Sequence, residues 1–199
     1  MSYNRKQRSR KSLSGQGGFS LLEMLTVIAI LLIIAAMAII NINGALPGQQ
    51  SAAGLNSAMS VFRQGRDTSI AQRRSFQLVI PSVSPPNQIG LQRLELGGGF
   101  TSMPVVTLPK PAQFGLDASI TTPPEAGLPT CANGLCFGGT LTQTWLSDGT
   151  FIQANGQPLN AVVYVTVPGT PGAQRAFTIL GTTGRIRTYR WTGSSWVLQ

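Results

Sequence analysis

Three features of this 199-residue sequence combine residue types and spacings that suit specific chemical interactions. Glu23 is the one charge in a long apolar run near the N-terminus, and Cys131 and Cys136 are separated by four residues. Arg185 and Arg187 alternate with an isoleucine near the C-terminus. A carboxylate among apolar residues needs a counter-ion. Closely spaced cysteines suit a disulfide or a metal, and alternating arginines suit an anion.

The residue inventory argues against catalysis. The chain has no histidine, so the commonest general base and metal ligand is missing. The glycine-rich stretch at residues 97–100 lacks the Lys-Ser/Thr of a phosphate-binding loop, and Asp148 begins an Asp-Gly turn. We therefore predict no catalytic residue, no cofactor, no metal site and no enzymatic activity.

The cysteine pair is compatible with a small disulfide-closed loop or with half of a four-ligand metal site. The sequence has no further Cys and no His to complete a metal site, so we expect a disulfide between Cys131 and Cys136. Such a bond indicates an oxidising compartment.

The positive charge of the chain is concentrated at its start. The formal net charge is +9, and five of the 15 basic residues lie in the first 11 positions. Without residues 1–18, ten basic residues face six acidic ones, which leaves +4. This remainder supports a polyanionic partner only weakly.

The apolar run at residues 19–42 is long enough to span a membrane, since a bilayer core about 30 Å thick needs about 20 helical residues. Basic residues precede the run, and the next cation is Arg63. The positive-inside rule therefore predicts a cytoplasmic N-terminus, with the remainder on the other side of the membrane.

Three interpretations of this run remain open. It is compatible with a cleaved signal peptide whose processing site is the Ala-Met-Ala at 36–38, although it is long for that class. It is also compatible with a plain membrane anchor in which Glu23 is incidental. A buried carboxylate is costly in a membrane, and this favours an interpretation in which Glu23 has a use.

The third interpretation comes from the stretch GFSLLEMLTVIAIL, which resembles the type III signal of type IV pilins and type II secretion pseudopilins. The resemblance implies a basic leader over residues 1–18, cleavage by a prepilin peptidase between Gly18 and Phe19, and N-methylation of Phe19. It places Glu23 at the fifth position of the mature chain. In this family that carboxylate pairs with the N-terminal ammonium of a neighbouring subunit and sets the register of a filament.

Beyond the apolar run, the sequence predicts a helix followed by strands. Two glycines and Pro47 at residues 41–48 predict a kink or melted turn. Residues 43–74 form this kink and a second helical half, in which an apolar face that ends at Ile70 packs on the domain and Arg63, Arg66 and Arg73 are solvated. Residues 75–199 show the two-residue alternation of an antiparallel β domain, with weaker strand signals over 81–140. The fold class is α+β.

The C-terminal third is similar to the GspH/FimT group, on the Asp-Gly turn at 148–149 and the GRIR segment at 184–187. This group implies one of two functions. The first is a minor pseudopilin in a type II secretion filament, with the inner membrane, prepilin peptidase and other pilins as partners and a periplasmic C-terminal domain. The second is a FimT-like minor pilin of type IV pili.

Some FimT-like pilins bind DNA through a GRxR segment, which makes Gly184, Arg185, Arg187 and Arg190 the candidate DNA-binding residues. Tyr189 or Trp191 would add base stacking. The same residues are compatible with an ordinary edge strand, and Trp191 and Trp196 with cross-strand partners in a core. Outside the family, the alternative is a membrane-anchored periplasmic binding domain that never polymerises.

Overall fold

The computed structural model of the chain describes residues 18–131, 133–138 and 142–199, with the backbone alone described for 39–44. The basic leader therefore lies outside the described residues, apart from Gly18. Two compact units divide the chain at Ile42, namely Met1–Ile42 and Asn43–Gln199. The described part of the first unit consists of Gly18 to Ser20 and the apolar beginning of a helix.

One α-helix precedes all of the strands, as the α+β prediction required. The helix α1 spans Leu21–Gln72. The strands are β1 Phe76–Ser82, β2 Gln88–Leu94, β3 Phe100–Ser102, β4 Val106–Thr107, β5 Gln113–Phe114, β6 Leu135–Cys136, β7 Gln143–Trp145, β8 Phe151–Gln153, β9 Ala161–Thr166, β10 Arg175–Leu180, β11 Arg185–Trp191 and β12 Trp196–Leu198. A short 3-10 helix, Pro171–Ala173, joins β9 to β10.

Helical structure continues through Pro47, so the predicted melted turn at 41–48 is absent. Proline removes one helical hydrogen bond, but its fixed φ near −65° is itself a helical value. The chain therefore tolerates Pro47 inside α1 at the loss of that one bond. The prediction of a melted turn was therefore wrong, whereas a kink at this position stays a prediction.

The second unit has a core built around one face of α1. Leu55, Met59 and Phe62 are buried, at the threefold and fourfold spacing that predicted an apolar face. Phe62 contacts Phe177 edge-on, with ring centroids 5.0 Å apart. Ile70, near the end of α1, is 42% exposed, although its side chain lies beside Gly149 of the second unit.

Two antiparallel sheets surround this core. The first has the strand order β3-β2-β1-β7-β8, with β4 also on β2, and the second has the order β12-β11-β10-β9-β5, with β6 also on β9. Successive residues of β9 point to opposite faces of the second sheet. Val163 and Val165 belong to the core around α1, whereas Val162 and Tyr164 belong to a second cluster on the opposite face.

The weakly patterned central region covers this opposite face. Ile120 and Cys136 are buried in the second cluster, with Leu116, Leu128 and Cys131 packed against it. The Trp196 indole donates a hydrogen bond to the Thr121 carbonyl at 2.6 Å. Residues 116–131 and 133–136, called the lid below, thus cover this sheet face and contain one short strand, β6.

The burial of Tyr164 in this second cluster makes the stability of the fold depend on pH in the alkaline range. Burial raises the pKa of the Tyr164 hydroxyl from 10.0 to about 12. The unfolded tyrosine ionises near its ordinary value, so its contribution to stability is complete below about pH 10 and is lost as the pH rises towards 12. The loss should be about 2–3 kcal/mol.

We expect Tyr164→Phe to flatten this part of the stability profile, leaving a smaller slope from Tyr189, whose pKa burial also raises. Urea unfolding followed by tryptophan fluorescence at a series of alkaline pH values measures the difference. The Tyr164 hydroxyl has no hydrogen-bond partner in the described part of the chain, so stability at pH 7 should not fall by more than about 1 kcal/mol. Parallel profiles for both proteins would contradict the assignment.

Candidate functional site

The apolar beginning of α1 is the most chemically unusual surface of the chain. Residues Leu21–Ala38 have a mean hydropathy of 2.7, and none of this window is buried within the structure. The helix is long and apolar enough to cross a membrane by length and composition. Water is a poor solvent for such a surface, so it requires lipid or other apolar helices around it.

Glu23 lies in the first turn of this helix, and Phe19 lies just before it. The position is electrostatically favourable, because the amide groups at a helix N-terminus carry partial positive charge. The Thr26 hydroxyl donates a hydrogen bond to the backbone carbonyl of Glu23 at 2.8 Å, so this hydrogen bond does not involve the Glu23 carboxylate. No cation of the described residues lies within 4.0 Å of that carboxylate.

The two cysteines are joined in a disulfide, with their Cα atoms 5.2 Å apart. Cys136 is also the end of β6, where it pairs with Val162 of β9. The bond therefore fastens the lid to the second sheet and has no exposed thiol to react.

The two arginines of the GRIR segment share one carboxylate from the lid. Arg187 Nη1 lies 3.2 Å from Glu125 Oε1, and Arg185 Nη2 lies 4.0 Å from the same oxygen. The Glu125 side chain is only 16% exposed, whereas those of Arg185 and Arg187 are 51% and 39% exposed. Sequence reasoning missed Glu125, because 60 residues separate it from Arg185 and it has no motif around it.

The structure corrects the predicted stacking residues. Tyr189 and Trp191 are buried in the second cluster and offer no exposed ring for a base. Trp191 pairs directly with Trp196, at a centroid distance of 5.4 Å, which confirms their interpretation as cross-strand partners.

Arg190 is separated from the other candidate DNA-binding arginines. The β10–β11 ladder is regular, so Arg190 and Arg185 project from opposite faces of β11. The four residues assigned to DNA binding from sequence therefore do not form one surface.

The structure brings a different set of arginines together. An open groove of about 350 Å³ is lined by Arg63, Arg66, Asp67, Gly184, Arg185 and Ile186. Arg66 is half-buried and donates to the Thr183 carbonyl at 3.4 Å, whereas Arg63 is exposed as predicted. Three cations and one acid give the groove a net positive charge. The helix spacing indicated Arg63 and Arg66, but nothing local indicated Arg185 as their neighbour.

Gly184 is required by this geometry. It has φ +63°, in the left-handed region, and a Cβ at this position would lie 2.2 Å from the Gly149 carbonyl oxygen and 2.7 Å from Arg66 Nε. The glycine of the GRIR segment therefore lets the β10–β11 turn approach both the Asp-Gly turn and α1. This is a structural role, independent of any ligand.

A comparison with known protein families gives a match in the N-terminal segment. Residues 13–39 match the prokaryotic N-terminal methylation motif. No curated protein sequence matches the chain. Among solved structures, it is similar to the minor pseudopilin EpsH from the type 2 secretion system of Vibrio cholerae, at 15% identity, 69% coverage of this chain, 97% coverage of that chain and a TM-score of 0.43. The matched residues include Gly18, Phe19 and Glu23.

Replacing Gly184 by alanine should destabilise the second unit. Gly193 provides a matched control, because its φ of +100° is also positive but nothing lies within 4 Å of a Cβ built there. We expect Gly193→Ala to cost about 1–2 kcal/mol from the backbone alone, and Gly184→Ala to cost more because it adds a clash. Urea unfolding of both variants measures this. Equal losses would mean that the close approach at Gly184 is relaxed without cost.

Proposed function

We propose that this chain, which carries the N-terminal methylation motif of pilin-like proteins, is a minor pilin or pseudopilin of the GspH/FimT group. Its role is structural: a subunit of a type II secretion pseudopilus, processed by a prepilin peptidase at Gly18 and Phe19. The observation that carries the proposal is the motif match over residues 13–39. The uncovered apolar part of α1 supports it, because such a helix suits insertion in the inner membrane before assembly and packing in a helical bundle afterwards.

The proposed orientation places the first residues in the cytoplasm and the second unit in the periplasm. The cations of the leader support it through the positive-inside rule. A disulfide between Cys131 and Cys136 supports it as well, since the periplasm is oxidising.

Processing at Phe19 is the first test. Co-expression with a prepilin peptidase should give a mature protein that starts with N-methylated Phe19, identified by mass spectrometry of the N-terminal peptide. Gly18→Val should remain uncut. An intact leader, or a start after Ala38, would contradict the proposal and favour a membrane-anchored binding domain or a secretory signal.

Glu23 is proposed to pair with the N-terminal ammonium of an adjacent subunit. Four helical residues rise by about 6 Å, so a carboxylate at this position reaches a neighbour's chain end only when the two subunits are staggered correctly. Without the ammonium, the carboxylate would be an unpaired charge in an apolar bundle.

We expect Glu23→Leu to be cleaved at Gly18 but to enter filaments at least tenfold less than the unaltered chain. Thr26→Val is the matched control, because it changes a neighbouring side chain on the same helix and leaves the carboxylate. Filament fractions sheared from cells and quantified by immunoblotting give the measurement. Equal incorporation of the Glu23→Leu chain would contradict the pairing.

A DNA-binding pilin is the second candidate function, and the groove between Arg63, Arg66 and Arg185 is the observation that favours it. Guanidinium groups from α1 and β11 line this groove, and such groups are suited to bind the oxygens of a phosphate. Glu125 opposes this function, because its carboxylate already engages Arg185 and Arg187. The structural role is therefore the stronger proposal.

The two candidates predict opposite results in a salt-titrated DNA-binding assay with the whole chain in detergent. If the role is structural only, the unaltered chain and Arg63→Gln/Arg185→Gln will bind DNA equally weakly. If the groove binds DNA, the double variant will lose affinity and show a shallower salt dependence, while Glu125→Gln will bind more tightly. That second pattern would replace the pseudopilin proposal with the DNA-uptake one.

A further inference from the structure

Arg175, at the start of β10, is held by neutral groups only. Its Nε lies 3.3 Å from the Gly48 carbonyl and 3.2 Å from Ser51 Oγ, and its Nη1 lies 2.7 Å from Gln199 Oε1. No carboxylate of the described residues lies within 4.0 Å of this guanidinium. The side chain joins the start of β10 to α1 just beyond Pro47, but its charge is not neutralised there.

A second arginine lies directly opposite. Arg190 of β11 is the cross-strand partner of Arg175, and the two side chains share one face of the sheet. Like charges at directly opposed positions destabilise a sheet. Arg190 is exposed and forms no ion pair with the described residues. Partial burial lowers the pKa of Arg175, and the positive charge of Arg190 lowers it further, which fits two cations in need of an anion.

The surface beside this pair is suited to a small polar group. An open hollow of about 280 Å³ is lined in part by Gly48, the residue whose carbonyl Arg175 binds, and none of its lining residues is acidic. Its lining consists of Pro47, Gly48, Thr170, Gly172 and Ala173. These residues are small or uncharged, so nothing in the hollow repels an oxyanion.

The position along the chain identifies the source of that oxyanion. Gly48 follows Ile42, the end of the apolar run, by six residues. Six helical residues span about 9 Å, and the headgroup layer on each side of a bilayer core is roughly 5–8 Å thick. Arg175 is hydrogen-bonded to Gly48, so the arginine pair is tethered within reach of the headgroups of any membrane that the apolar run spans.

We propose that Arg175 and Arg190 bind the phosphate of an anionic phospholipid in the membrane that α1 enters. The guanidinium of Arg190 and the free edge of Arg175 would share the phosphate oxygens, and the headgroup would occupy the adjoining hollow. The contact relieves the repulsion across the β10–β11 pair. It rests on membrane insertion of residues 19–42, and not on filament assembly or on DNA binding.

The test uses the full chain in nanodiscs of phosphatidylcholine, alone or mixed with phosphatidylglycerol. All three tryptophans lie in the second unit, so fluorescence reports its thermal unfolding. Phosphatidylglycerol should raise the Tm of the unaltered chain by about 2–4 °C. Arg190→Gln should abolish that rise, whereas Arg73→Gln, which removes an exposed arginine 25 residues beyond Gly48, should retain it.

Arg190→Gln is the decisive variant because the Arg190 side chain forms no hydrogen bond or ion pair within the described part of the chain, and the substitution leaves the backbone pairing of β11 unchanged. An equal phosphatidylglycerol effect in both variants, or none in the unaltered chain, would overturn the inference. Inorganic phosphate added to pure phosphatidylcholine nanodiscs tests the source. If it gives the full rise, the pair binds free phosphate and the lipid assignment is wrong. Failure of the chain to elute with nanodiscs would overturn the inference together with its membrane premise.

Discussion

The helix α1 has two different environments along its length, an uncovered apolar part and a part that is packed in a hydrophobic core. From Leu21 to Ala38 every side chain is apolar apart from those of Glu23 and Thr26, and none of this window is buried. From Ser51 onward, the helix supplies one side of a closed hydrophobic core. No part of the chain that the structure describes covers the first part. Lipid or other apolar helices can cover such a surface, and Glu23 is the one carboxylate in it.

The part of α1 that belongs to the second unit packs against the hydrophobic core of that unit. The aromatic cluster around Phe62 packs the helix between both sheets. The second sheet is covered on its opposite face by the central region, which the disulfide fastens to β9 through β6. The second sheet therefore has side chains buried on both of its faces.

The sequence predicted the elements whose signals are local. The alternation in β1, β9, β10 and β11 and the apolar spacing of α1 around Leu55 and Phe62 were sufficient for the α+β order. It failed where structure depends on distant pairs. Glu125 meets Arg187 across 62 residues, and Arg175 meets Gly48 across 127. Neither contact has a sequence spacing that could be recognised. The melted turn predicted at Pro47 is absent, because the loss of one hydrogen bond is small beside the helical structure on both sides of the proline.

The central proposal is that the Glu23 carboxylate pairs with the N-terminal ammonium of another molecule. Magnetic resonance of assembled filaments tests this ion pair most directly. Filaments would be grown from a mixture of two preparations, one labelled with ¹⁵N at phenylalanine and the other with ¹³C at the glutamate carboxyl group. Dipolar dephasing of the N-terminal amine signal, which is resolved from the amides, then arises only between different subunits. The account predicts a nitrogen-to-carboxyl separation of about 4 Å, as in an ion pair. An amine signal that shows no dephasing in intact filaments would contradict it.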